Sequence, residues 1–219
     1  MKRTLIYTLF FSLLGAFSLA QKTDSLSVEK PKYQPNFMLG IDVLNAGTSA
    51  FSERKLLQGF ISSRIKKDWH GIAELGYDDN IYQKNGYDAS VKGFFLKLGG
   101  FYMMMKDAEN KLNGFYGGAK FGASLYEQNY AKVPVRGIQG TDSYLSFQPS
   151  NQFSFWVETQ VGGRVQLFES PFYIDVNVQP RYLLYSTKQE EMKPMIAAGF
   201  GRSSAKFNMG FSWNLAYQF

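Results

Sequence analysis

From Lys206 to Phe219 the chain alternates without a break. Phe207, Met209, Phe211, Trp213, Leu215, Tyr217 and Phe219 fall on one face, and Lys206, Asn208, Gly210, Ser212, Asn214, Ala216 and Gln218 on the other. A period of two marks an extended strand with one apolar side, because a helix would scatter both classes around its axis.

The division recurs along the rest of the chain, and with the terminal strand it predicts eight strands. Phe37, Leu39, Ile41 and Val43 share a face in the first, opposite Asp42; Leu57, Ile61 and Ile65 share one in the second, opposite Arg64. The third sets Trp69, Leu75 and Tyr77 against Glu74, Gly76 and Asp78. The fourth sets Phe94, Leu96, Leu98, Tyr102 and Met104 against Gly93, Lys97 and Gly99, but Phe95, Phe101 and Met103 fall on its polar face. In the fifth, Phe115, Phe121 and Leu125 oppose Gly118, Lys120, Gly122 and Ser124. The sixth opposes Phe153, Phe155, Val157, Val161, Val165 and Leu167 to Ser154, Glu158, Gln160, Gly162, Arg164 and Gln166. The seventh opposes Phe172, Ile174, Val176, Val178, Tyr182 and Leu184 to Asp175, Asn177, Gln179 and Arg181.

The apolar faces carry more bulk than the interior of an eight-stranded barrel can hold, which excludes a lipocalin-like arrangement with those faces inward. Gly, Ser and charges of both signs suit a crowded interior, so the bulky face meets lipid. The fold expected is an all-β, eight-stranded antiparallel transmembrane β-barrel. Short connections follow the second, fourth and sixth strands, and longer ones follow the first, third, fifth and seventh. That is the pattern of short periplasmic turns and longer extracellular loops, with both termini periplasmic. Aromatics gather near the strand ends, with Trp69, Tyr102, Phe172, Tyr217 and Phe219 at the periplasmic side.

The first residues extend this picture. Lys2 and Arg3 precede an apolar run from Leu5 to Phe17, and Ser18-Leu19-Ala20 supplies small residues for cleavage before Gln21. Residues 1–20 are expected to be a cleaved signal peptide, 21–34 a flexible periplasmic leader, and 35–219 the barrel. Gln21 is not Cys, so lipoprotein processing is not indicated. The chain has no cysteine, which excludes disulfides and thiolate metal sites. Its net charge of +6 would fall by two with loss of Lys2 and Arg3. No basic run or motif points to nucleic acid.

The stretch Phe211-Ser-Trp-Asn-Leu-Ala-Tyr-Gln-Phe219 resembles the C-terminal signal read by the outer-membrane insertion machinery. Phe211, Trp213, Leu215, Tyr217 and Phe219 would form it. The stretches GIDVLNAGTSAFSERK (40–55) and LQGFISSRIKKDWHGIAELGYDDN (57–80) resemble an uncharacterised Bacteroidota family of small outer-membrane barrels. The architecture is similar to the OmpX and OmpA transmembrane domains. The resemblance implies fold, outer-membrane lipid as surroundings, and the insertion machinery as an assembly partner. It implies no activity.

Candidate chemistry is sparse. Small outer-membrane enzymes use His with Ser, Asp or Glu at the outer rim. The single histidine, His70, falls beside a short periplasmic turn, so no catalytic residue is assigned. No metal or other cofactor site is assigned either; Asp78, Asp79 and Asn80 read as turn chemistry. The inward charges are Asp42, Arg64, Glu74, Lys97, Lys120, Glu158, Arg164, Asp175, Arg181 and Lys206, with Asp78 beside them. Near-balanced signs in a narrow bore suit a plug of ion pairs better than an ion path. With Leu167 opposite Phe172, the short sixth-to-seventh turn sets Arg164 against Asp175 and Glu158 against Arg181. The loop from Tyr126 to Gln152, with Tyr130, Arg136, Tyr144 and Phe147, is the candidate binding loop for other envelope proteins. The function expected is a non-enzymatic structural or interaction barrel, a small subunit of a larger outer-membrane complex being one form of it. A narrow channel and a rim-type lipid- or peptide-modifying enzyme are the alternatives.

Overall fold

The structure is a computed structural model that describes residues 36–135, 137, 143–189, 192 and 194–219. The expected signal peptide, the leader and Arg136 lie outside the described residues. Eight strands close into an antiparallel ring in the order β1-β10-β7-β6-β5-β4-β3-β2. They are β1 (Phe37–Asp42), β2 (Lys55–Lys66), β3 (Trp69–Lys84), β4 (Tyr87–Lys106), β5 (Gly114–Val135), β6 (Ser143–Gln166), β7 (Phe172–Ser186) and β10 (Phe207–Gln218). A helix, α1 (Val43–Ser49), follows β1, and a two-stranded ribbon of β8 (Ile196–Ala197) and β9 (Gly201–Arg202) precedes β10.

Alternation fixes which side chains point where. Leu75, Phe94, Leu125, Val161, Phe211 and Trp213 stand on the exposed outer face, whereas Lys97, Gln128, Glu158, Gln160, Asp175 and Gln179 are buried inside. The three residues that broke the pattern in the fourth strand also point inward: Phe95, Phe101 and Met103 are at most 2% exposed. The lumen is therefore not purely polar. Room for its aromatics comes from glycines on facing strands. A Cβ on Gly122 would stand 2.3 Å from Trp156, one on Gly76 2.2 Å from Phe95, and one on Gly40 2.3 Å from Phe60.

Three expectations are corrected. Val43 does not continue β1, because Asp42 ends the strand and caps α1, its carboxylate accepting from the Asn45 backbone N–H at 3.0 Å. The connection after β3 is not long, and Asp78, Asp79 and Asn80 are not turn residues. They pair with Gly93, Lys92 and Val91, and the hairpin turns at Asn85-Gly86. Both turn residues have positive φ (55° and 81°), the two-residue geometry that Asn-Gly favours. Likewise, most of Tyr126–Gln152 is strand rather than loop, since β5 runs to Val135 and β6 starts at Ser143. The short connections at the opposite end are as expected.

The β6–β7 register is the one the short turn predicted. Arg164 faces Asp175 and Glu158 faces Arg181. The seam of the ring is its shortest ladder: β1 pairs with β10 from Met38↔Gln218 to Asp42↔Asn214, and with β2 from Phe37↔Ser63 to Ile41↔Gly59. Beyond it α1 bridges the two neighbours, with the Asn45 amide donating to the Phe211 carbonyl at 3.4 Å and the Leu56 N–H to the Ser49 hydroxyl at 2.7 Å.

Candidate functional site

The densest chemistry lies in the lumen, in three layers. At mid-height five charges from five strands converge. Lys97 Nζ lies 3.0 Å from Glu74 and 3.4 Å from Glu158. Lys120 Nζ lies 2.5 Å from Glu74 and 2.9 Å from Glu158, and Arg181 Nε 3.2 Å from Glu158. The Trp156 indole N–H donates to Glu158 at 3.1 Å. Three cations thus share two carboxylates in a space closed to solvent. Burial of this kind favours mutual pairing because any unpaired member would stay desolvated.

Toward the short turns, Arg164 Nε meets Asp175 at 2.9 Å and its guanidinium lies over Phe101 and Tyr116. The Tyr116 hydroxyl donates to Asp175 at 2.7 Å, and Asn177, Gln179, Ser212 and Asn214 extend the network. Each carboxylate is thereby surrounded by donors, the condition for keeping a charge buried.

Toward the long connections, the lumen is closed by the chain itself. Residues 194–206 fold back into the bore and bury Ile196, Ala197, Ala198 and Phe200 against Phe95, Tyr126, Trp156 and Leu183. Phe200 meets Trp156 edge-on at 5.9 Å. The plug is also anchored through its backbone. Gly199 donates its N–H to Asp78 at 3.0 Å, Arg181 donates to the Gly199 carbonyl at 2.9 Å, and Asn208 to that of Phe200 at 2.8 Å. Asp78 is held in turn by Arg54, at 2.8 and 3.1 Å. Gly199 takes φ of +74° against the Phe95 ring, a place for glycine alone.

Among the expected lumen charges, Glu74, Lys97, Lys120, Glu158, Arg164, Asp175 and Arg181 come together as described. Asp42 is buried but serves the helix cap and the Gln58 amide, 2.6 Å away. One is corrected. Lys206 lies before β10 and is exposed, the strand starting only at Phe207. Arg64 shares the inward face of Phe60 and Ser62 and stands half-buried at the short-turn end, away from the central cluster. In the candidate binding region, Tyr130 is 1% exposed and packs with Ala89, Val133 and the half-buried Phe147, so it belongs to the interior. Tyr144 is exposed. Phe211, Trp213, Leu215, Tyr217 and Phe219 line one outward face, and Phe219 donates its N–H to the Phe37 carbonyl at 2.9 Å.

The alternation pattern missed the plug, Arg54 and the inward Trp156. Trp156 could have been found by parity, since it stands between Phe155 and Val157. The plug and Arg54 lie in connections, where no period operates. Among the described residues, no three His, Asp or Glu side chains converge as a metal site, and no helix is long and apolar enough to cross a membrane.

Residues 1–219 match the family described as a domain of unknown function (DUF6048). No curated protein sequence matches the chain. Among solved structures it is similar to the N-terminal β-barrel domain of Pseudomonas aeruginosa OprF, with 10% identity and a TM-score of 0.36 over 84% of this chain and 97% of that one. It is also similar to neisserial surface protein A (NspA), with 14% identity and a TM-score of 0.35 over 84% and 96% of the two chains. The β domain of the Bordetella autotransporter BrkA gives 10% identity and a TM-score of 0.37 over 84% and 78%.

Proposed function

The chain belongs to the DUF6048 family, and we propose that it is a closed, non-enzymatic barrel of the bacterial outer membrane with a structural or docking role. One observation carries this reading: a ring of exposed bulky apolar side chains surrounds a lumen closed at mid-height by ion pairs and at one end by its own chain. An outer wall of this kind suits hydrocarbon, and a closed bore disfavours the channel alternative. The start of β1 and Phe219 stand at the short-turn end, which in such barrels faces the periplasm. The strands β5 and β6, of 22 and 24 residues, exceed the ~9–11 residues that crossing requires. Their surplus extends the paired strands beyond the lipid, with Tyr144 and Leu145 exposed as a docking platform for another envelope protein. The aromatic terminus ending at Phe219 suits recognition by the insertion machinery.

Fractionation of the native envelope, with planar-bilayer recordings of the purified protein, tests the proposal. Recovery with the outer membrane and no unitary conductance are expected. Recovery in the soluble periplasm ends the membrane reading, and steady conductance ends the closed-barrel reading. Cross-linking from Tyr144 in native membranes then tests docking, for which one stoichiometric partner is the expected result.

A further inference from the structure

Among the described residues, the lumen is sealed toward the long connections and open toward the short turns. There a cavity of about 270 Å3 opens between the β2–β3 and β4–β5 connections. Among the described residues Arg64, Lys67, Lys106 and Lys111 line it, against the two carboxylates of Asp68 and Glu109. Asp68 is already paired with Lys106, which leaves the cavity with an excess of positive charge. A recess walled by low-dielectric protein focuses such a field on whatever enters.

His70 supplies an independent sign of a ligand. It lines this cavity, is 4% exposed, and stacks on Phe101 with ring centroids 4.9 Å apart. Among the described residues neither ring nitrogen makes a well-formed hydrogen bond, although the Asp68 backbone lies beside the ring. A buried imidazole with both nitrogens unsatisfied costs stability, so such a group is kept where something else completes it. Arg64, Lys67, Lys106 and Lys111 outnumber Asp68 and Glu109 around it, so an anion rich in acceptors suits the ring N–H and the surrounding cations together. The cavity is smaller than the ~300–1,000 Å3 of drug-sized sites, which favours a compact group over an extended one.

We propose that this recess is a binding site for a phosphate group, with His70 as the buried donor and Lys67 and Lys111 as the exposed clamp. Charge-assisted hydrogen bonds from an imidazole and two ammonium groups match the acceptor oxygens of a phosphate monoester or diester. The source is either a phospholipid headgroup of the adjoining leaflet or a soluble phosphate ester.

His70 is the sole histidine, so its ring resonances report on the site without ambiguity. The full chain in maltoside micelles is titrated with inorganic phosphate and with glycerol 3-phosphate at fixed pH and ionic strength, and the His70 ring 1H–15N correlations are followed. A saturable shift is expected. The exposed pair Lys67→Ala/Lys111→Ala should weaken it by about fivefold or more, the scale of two exposed ion pairs. Lys84→Ala, at the far end of β3, should leave it unchanged. No shift, the same shift with chloride, or full affinity in the double variant overturns the site. Nanodiscs then separate the sources. A His70 shift in phospholipid nanodiscs that is absent in phosphate-free maltoside micelles, without added phosphate, assigns the lipid headgroup; a shift that needs free phosphate ester assigns the soluble ligand.

Discussion

Two regions of the lumen close the same bore with opposite chemistry. The mid-height belt of Glu74, Lys97, Lys120, Glu158 and Arg181 is built of charges carried on strands. The plug of Ile196, Ala197, Ala198 and Phe200 is apolar and carried on a connection. A charge in the belt has no alternative to its partners, because water does not reach it. An apolar plug has one, since it can swing out at the cost of exposing its surface. The belt therefore belongs to the global stability of the ring, and the plug to a local equilibrium at one mouth.

The largest effect that separates them is expected from Glu158→Ala. It removes the carboxylate that Arg181 meets and leaves Lys97 and Lys120 to share Glu74 in a desolvated space, where loss of one partner costs ~3–5 kcal/mol. Equilibrium unfolding in urea should show it as a loss for the whole barrel. Arg181→Ala should also destabilise, and the double variant should lose less than the sum; additivity would mean that the two residues do not work together. Phe200→Ala comes next. Removing a buried aromatic costs about 3 kcal/mol or more, but here the loss should fall on plug docking. Trp156 emission in a Trp69→Phe/Trp213→Phe background should shift red with the global unfolding midpoint little changed. An equal loss of global stability would erase the distinction between belt and plug.

Gly199→Ala sharpens the contrast at smaller cost. A left-handed residue with a Cβ carries ~1–2 kcal/mol of strain, and the Phe95 ring stands in its way. Faster amide exchange at Gly201 and Arg202 than in β6 would register it. The smallest effect should come from an exposed ion pair. Lys106 holds the Asp68 carboxyl below the ordinary aspartate value of 3.8, chiefly through its hydrogen bond. A depressed acid stabilises above its unfolded pKa, and the gain is lost as pH falls through the folded one. Below about pH 4 the Met103 amide, which donates to the Asp68 carbonyl, should show a shift, while the belt stays intact. A simultaneous change in the Trp156 indole signal would show that the belt is not insulated.

The belt was legible in the sequence because each member sits on a strand whose parity is written by its neighbours. Opposite charges at Glu158 and Arg181, or Arg164 and Asp175, then have one register in which they meet. The plug was not legible because residues 188–206 show no period. Its small residues, Ala197, Ala198 and Gly199, read as a loop until Phe95 and Trp156 are seen to reserve space for them. Strand ends were misjudged for the same reason. Asp78-Asp79-Asn80 has the composition of a turn, yet pairing with Lys92 and Gly93 carries β3 on to Asn85-Gly86. At Asp42, one local cap outweighs alternation that would have run through Val43.

The brief ladder at β1 also sets an order in time. Every other joint in the wall links strands near each other in sequence or offers a longer run of backbone pairs. The seam must bring Met38 to Gln218 and Asp42 to Asn214, almost the full length of the barrel apart. The loop entropy of that meeting is the greatest in the molecule. On loop entropy alone, closing the ring is the last event of assembly and the first to reverse, and before it the sheet is an open ribbon with β10 as a free edge. The residues that wait longest for a partner are then those of the aromatic terminus.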